Sequence, residues 1–226
     1  MKTYNTYKFI IVVLTAIFLF PFIVKSQTPE EIISALDYFN SIDSISLTIT
    51  TQSTTYDING NTLISNSAGD ICYVINKPDY LKLTKQVGNN IYEQTRENSR
   101  EIIKIAGNEI KNVEMKGIND LLPEPQMIFN LSEYLSTFEI KTEGENKITG
   151  VLKDDAGKKR LEIEFNGNEI VFIIIYGIRG EKETEIRINA YGEINGKKIP
   201  VSIKKTIYSQ KTTVEKNIIY TITGVE

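Results

Sequence analysis

From Ser44 onward the chain alternates apolar and polar residues with a period of two, and short turn signals keep interrupting it. Ile45, Leu47 and Ile49 alternate with Ser46, Thr48 and Thr50, so one face of this strand is dry and the other wet. Asn59-Gly60 is a hairpin signal. Thr62–Asn76 runs back, Lys77-Pro78-Asp79 turns again, and Leu81 and Leu83 continue the alternation in Tyr80–Lys85. A chain with this period must pair its strands edge to edge and bury one face. In front of it, Thr28-Pro29-Glu30-Glu31 reads as a capped helix start. Ile32, Ala35, Leu36 and Phe39 follow at helical spacing and form one apolar face. The expectation is a helix laid on the inner face of a curved sheet.

The same pattern returns along the chain. Strands are expected at Asn90–Thr95, Arg100–Ala106 and Glu109–Met115, with Gly88-Asn89 and Gly107-Asn108 between them. Gly117–Pro125 cannot be a regular strand, because Pro123 and Pro125 lack the donor a ladder needs. Its leucines make it either a core plug or a mobile apolar flap. Gln126–Leu135 reads as a short helix. Strands resume at Lys147–Lys153, Arg160–Phe165, Glu169–Tyr176, Thr184–Ile194, Lys198–Tyr208 and Thr212–Thr223. Ile71–Ile75 and Glu169–Tyr176 are apolar enough to suggest burial on both faces. The fold class is mainly β with some α, with about eleven antiparallel strands in one domain over residues 27–226.

The first 26 residues read as a secretory signal peptide. Lys2 and Lys8 precede an apolar run of about 16 residues, and Val24-Lys25-Ser26 offers a cleavage site before Gln27. An uncleaved inner-membrane anchor facing the periplasm is the alternative, since the run is near the lower length for spanning. Without Lys2, Lys8 and Lys25, 23 basic residues face 29 acidic ones, a net charge near −6. Such a protein is a poor ligand for nucleic acid or anionic membrane surfaces.

Catalytic chemistry finds little to work with. The chain has no His, so the commonest general base and metal ligand are missing. Its single Cys, Cys72, allows neither an internal disulfide nor a zinc cluster, and is expected to be a small buried residue. Asp154-Asp155 suits a turn, and Glu162 and Glu164 suit a solvent-facing row. No phosphate loop or nucleophile set occurs. The expectation is a protein that is not an enzyme and needs no cofactor or metal. About eleven strands exceed what one short helix can cover, which leaves apolar binding in an open sheet. The pattern equally suits a sheet folded on itself as a filled barrel or sandwich.

The order of features resembles the LolA-like family of outer-membrane lipoprotein carriers and lipoprotein-sorting proteins. The resemblance is carried by a leader segment and a helix ending at Phe39-Asn40-Ser41-Ile42. It continues in Ser44-Ile45-Ser46-Leu47-Thr48-Ile49, Asp57-Ile58-Asn59-Gly60-Asn61, Ala68-Gly69-Asp70-Ile71 and Lys77-Pro78-Asp79-Tyr80-Leu81-Lys82-Leu83. Pro125-Gln126-Met127-Ile128-Phe129-Asn130-Leu131 and Asn195-Gly196-Lys197-Lys198-Ile199-Pro200 complete it. The resemblance implies an incomplete antiparallel β-barrel, with an N-terminal helix and a short inner helix as lid over an apolar cavity for acyl chains. It implies a cavity lined by Leu36, Phe39, Ile45, Leu47, Ile49, Leu81, Leu83, Met127, Phe129 and Leu131. Lys77 stands where proteobacterial carriers have an Arg used in handing cargo onward; Lys keeps the charge but loses the planar fork of donors. The implied protein is a periplasmic monomer carrying lipid or lipoprotein acyl chains between an inner-membrane release complex and an outer-membrane acceptor. A regulatory module of the same fold, sensing envelope lipoproteins through a protein partner, is the other reading.

Overall fold

The alternating segments pair one after another into a single antiparallel sheet in the computed structural model, which describes residues 43–57, 59, 62–76, 80–114, 128, 131–144, 146–153, 159–167, 169–194 and 196–225. The first half supplies β1 (Ser44–Asp57), β2 (Leu63–Asn76), β3 (Tyr80–Val87), β4 (Asn90–Glu97), β5 (Arg100–Ile105) and β6 (Asn108–Glu114). A six-residue helix, α1 (Leu131–Ser136), precedes the second half. That half comprises β7 (Phe138–Glu143), β8 (Lys147–Leu152), β9 (Arg160–Asn166), β10 (Glu169–Tyr176), β11 (Lys182–Ile194), β12 (Lys197–Tyr208) and β13 (Thr212–Val225).

Thirteen strands form where about eleven were expected. The strand not foreseen is β7, whose Phe138 and Ile140 give only two apolar alternations in six residues. The spatial order is β6-β5-β4-β3-β2-β1-β13-β12-β11-β10-β9-β8-β7. Every neighbour is therefore a hairpin partner except at the middle, where β1 pairs with β13 from Ile45 opposite Val225 to Asp57 opposite Thr212. The open edges are β6 and β7, which are consecutive in the chain. The sheet thus breaks where Pro123 and Pro125 and α1 interrupt the period-two pattern.

Turn chemistry fixes the hairpins. Asn98 and Ser99 both take positive φ, as do Ala106 and Gly107, which matches the two-residue turns that suit twisted strands. A flat sheet of this size would be about 58 Å wide at the usual strand spacing. Yet one buried apolar cluster joins residues of β1 to β3 and of β7 to β13 with Leu131 and Leu135 of α1. So wide a sheet shares one core only if it curls, as large twisted sheets do.

Two expectations about burial fail for the same reason. Ile71–Ile75 is covered on one side: Tyr73 and Ile75 are buried, while Cys72, just before Tyr73, is exposed. Alternation sends Cys72 outward beside Thr48, whose Oγ1 lies 3.6 Å from its Sγ. β10, fourth from the β7 edge, is likewise covered on one side, with Ile170 and Ile173 as its buried residues. Its outer face is covered by arginines instead of a second layer. The Arg187 guanidinium lies 4.4 Å from the Phe172 ring centre, and that of Arg160 lies 5.2 Å from the Tyr176 ring centre.

Candidate functional site

Register places the inward rows side by side. Ile45, Leu47 and Ile49 on β1 face Ile75, Tyr73 and Ile71 on β2, which in turn face Leu81, Leu83 and Lys85 on β3. Across β13 the same row continues into Ile222, Tyr220 and Ile218, and Ile218 faces Ile203 on β12. Of the residues named from sequence, Ile45, Leu47, Ile49, Leu81 and Leu83 thus share one face, and all five are buried. Leu131 is buried on α1. Leu36, Phe39, Lys77, Met127 and Phe129 lie outside the described residues. Ile128, which the sequence reading did not single out, is helical and fully buried.

The inner face is not uniform. On β4 to β6 it turns polar: Arg96 faces Glu101, and both are buried. The Glu101 carboxylate accepts from Gln94 Nε2 and, at 2.6 Å, from Lys111 Nζ. Tyr92 Oη donates to Gln94 Oε1 at 3.0 Å. Burial first, and then the Glu101 carboxylate, hold the Tyr92 phenol above its usual range. Lys85 Nζ stands 4.7 Å from the centre of the Tyr92 ring, joining this cluster to β3.

A recess of about 540 Å³ opens where β2 outruns β3. β3 pairs with β2 only along Ile71–Asn76, so Leu63–Asp70 has β1 on one side alone. Ile49, Ile71 and Tyr73 form the apolar part of the lining, with Thr51, Lys85 and Lys216 around it. Its size lies within the range of small-molecule pockets. Ile49 is the one residue of the cavity set expected from sequence that borders it; Ile71, Tyr73, Lys85 and Lys216 become visible only when register is known. A smaller hollow of about 270 Å³ lies on β7 to β9 among charged residues, including Glu139, Lys141 and Arg160.

α1 closes on the second half of the sheet. The Tyr134 ring packs against Phe138 with centres 5.5 Å apart, and Lys153 Nζ donates to Ser136 O at the helix C-terminus, 2.7 Å away. Burial, aided by the Glu183 carboxylate, pushes the Tyr134 phenol up to about 12. Because the folded-state value is raised, the contribution is complete below about pH 10 and is lost as pH rises toward 12. Tyr134→Phe is expected to flatten the alkaline fall in stability. Urea midpoints measured across that range check this, and an unchanged slope would discount the phenol.

Among the described residues no three His, Cys, Asp or Glu side chains stand close enough to hold a metal ion. No helix among them is long and apolar enough to cross a membrane. No family model matches the sequence, and no curated protein matches it. Solved structures do. The chain is similar to a LolA superfamily protein from Nitrosomonas europaea at 9% identity and a TM-score of 0.53, over 86% of this chain and 92% of that one. It is also similar to a DUF1329 family protein from Desulfovibrio piger at 7% identity and a TM-score of 0.52, over 84% and 88% of the two chains. At such identities the likeness is one of fold, and the fold is LolA-like.

Proposed function

We propose that this protein, built on a LolA-like fold, is a periplasmic carrier that binds acyl chains of lipids or lipoproteins and delivers them toward the outer membrane. The observation that carries the reading is the mismatch between sheet and cover. Thirteen strands curl round an inner face that is apolar on β1 to β3 and β7 to β13, while among the described residues the helix laid against it, α1, is six residues long and spans only about 9 Å. The apolar recess at Ile49, Ile71 and Tyr73 is the opening through which a chain would enter. Each methylene buried contributes about 0.8 kcal/mol, so a chain of ten adds about 8 kcal/mol before ordering costs. Binding is non-covalent and no bond is made or broken. A donor that releases cargo at the inner membrane and an acceptor at the outer membrane are the partners such a carrier requires, and Lys77 is the residue assigned to hand-over.

Protein purified from the periplasmic fraction should carry lipid, seen by native mass spectrometry and by solvent extraction. Lipid-free protein that also ignores fluorescent fatty acids would sink the reading. A blocking variant sharpens the test. Gly69 lies opposite Thr51 on the inner row, and a Cβ there would meet no atom within 4 Å. Gly69→Trp is therefore expected to fill the recess without disturbing the core. Acyl-probe affinity should fall at least about tenfold, or about 1.4 kcal/mol, with the melting temperature unchanged.

A further inference from the structure

We propose that two copies of this protein pair through β7, edge to edge about a two-fold axis at Ile140, so that Glu139 of each copy stands opposite Lys141 of the other. The pairing is independent of what the inner face binds, and it departs from the monomer that the resemblance implies.

The two open edges of the sheet are not alike. On β6 the register slips at Ile110, opposite the step from Ile103 to Lys104, and such a bulge blunts an edge against pairing. β7 runs along β8 from Phe138 opposite Leu152 to Glu143 opposite Lys147 with no shift of register. Leu152 N donates to Lys159 O beside β9, and Lys153 N donates to Thr137 O beside β7, both at 3.0 Å. Antiparallel pairs alternate, so β8 engages Glu139, Lys141 and Glu143 of β7. The N–H and C=O of Phe138, Ile140 and Thr142 therefore point to the open edge, where no described strand pairs with them.

A second copy can meet these groups in few ways. Residues directly opposite in an antiparallel pair share a face, so Phe138, Ile140 and Thr142 meet one another, and Glu139 and Lys141 meet one another. An axis at Glu139 or at Lys141 sets like charges face to face, which destabilises. An axis at Phe138 carries Ile140 to the partner's Ser136 in α1, and an axis at Thr142 carries it to the partner's Gly144 beyond the strand. An axis at Ile140 joins Ile140 to itself and Phe138 to the partner's Thr142, which uses the free N–H and C=O of all three residues. It also sets Glu139 against the partner's Lys141 twice, at the closer spacing of non-hydrogen-bonded pairs. Both side chains are exposed, and neither makes an ion pair with another described residue, whereas Glu143 already accepts from Thr149 Oγ1 at 2.9 Å. The charges on this edge thus match a copy of themselves. Phe138–Thr142 from each copy makes a small contact of the transient class, so the dimer forms with rising concentration.

Sedimentation equilibrium on the purified protein, from about 5 µM to about 1 mM to cover weak contacts, tests the pairing. Wild-type protein should pass from monomer to dimer over that range. Lys141→Glu sets carboxylates opposite each other, and Glu139→Lys sets ammonium groups opposite each other. Each should weaken self-association at least about tenfold, or about 1.4 kcal/mol. A one-to-one mixture of the two variants regains both ion pairs in a mixed dimer, and should associate to within about twofold of wild type. Wild-type protein that stays monomeric at the top of the range overturns the proposal. A dimer that both charge reversals leave intact overturns it too, because the contact then lies elsewhere. A mixture as weak as its single variants overturns the axis at Ile140. Both substituted positions are exposed, and the wild-type arm needs no variant.

Discussion

Leu47→Asp is expected to leave the protein unfolded rather than merely unable to bind. Leu47 is 2% exposed and sits between Tyr73 on β2 and Ile222 on β13. Removing a buried leucine costs about 2–5 kcal/mol through lost burial and the cavity left behind. A carboxyl placed there has no cation opposite it in register, and burying it uncompensated costs a further few kcal/mol. The sum matches the whole stability of an ordinary domain, about 5–15 kcal/mol. Far-ultraviolet circular dichroism should show loss of strand signal, and urea titration should show no cooperative transition. Leu47→Ala should keep the transition and move its midpoint down. Leu81→Glu, although Leu81 is just as buried, should be milder, because Leu81 faces Arg96 across β3 and β4 and the new carboxylate gains a cation. A native-like Leu47→Asp protein would mean that this part of the inner face tolerates water.

The second large effect is expected at Glu101. Its carboxylate is 3% exposed and takes hydrogen bonds from Gln94 and Lys111, opposite buried Arg96. Deleting one member of a buried charged group leaves the others desolvated, which costs about 3–5 kcal/mol. The low end applies here, because the Lys111 side chain is 44% exposed and water can solvate it once freed. Glu101→Ala should lower the urea midpoint by that amount, with Glu101→Gln intermediate. Replacing Glu101 and Arg96 together by leucine and methionine should cost less than Glu101→Ala alone. A double variant as weak as the single one would show that Glu101 and Arg96 are not energetically coupled.

Strand positions were legible because one-sided burial writes itself as period two: Leu161, Ile163 and Phe165 are buried and Glu162 and Glu164 are not. Two hairpin turns were legible through Gly88 and Gly107, both of which take the positive φ that favours glycine. The break in the period-two pattern at Gly117–Pro125 falls in the chain between the two edge strands, β6 and β7. What alternation does not carry is the identity of non-consecutive neighbours. Nothing local in Ser44–Asp57 announces that its partner is Thr212–Val225. The side taken by a residue in an apolar run is equally hidden, which is why Cys72 was expected inside. Glu101 was not singled out, because a charged residue in an exposed-looking strand reads as solvated until register sets it against Arg96. The recess lining was hidden in the same way. Lys85 continues the row of Leu81 and Leu83, but its inward direction matters only once Lys216 is known to approach from β13.

The pairing of β1 with β13 has a kinetic consequence. Ile45 and Val225 are about 180 residues apart in the chain, yet they meet at the middle of the sheet. Each half can zip by successive hairpins at low entropic cost, but the seam between them closes a very long loop and forms late. Until it forms, two half-sheets expose bare edges at β1 and β13, where wrong pairing is easiest. Linking the ends of β1 and β13 and opening the chain between β6 and β7 would turn the whole sheet into an unbroken run of neighbours. Such a permuted chain should refold faster than the natural one with little change in its final stability.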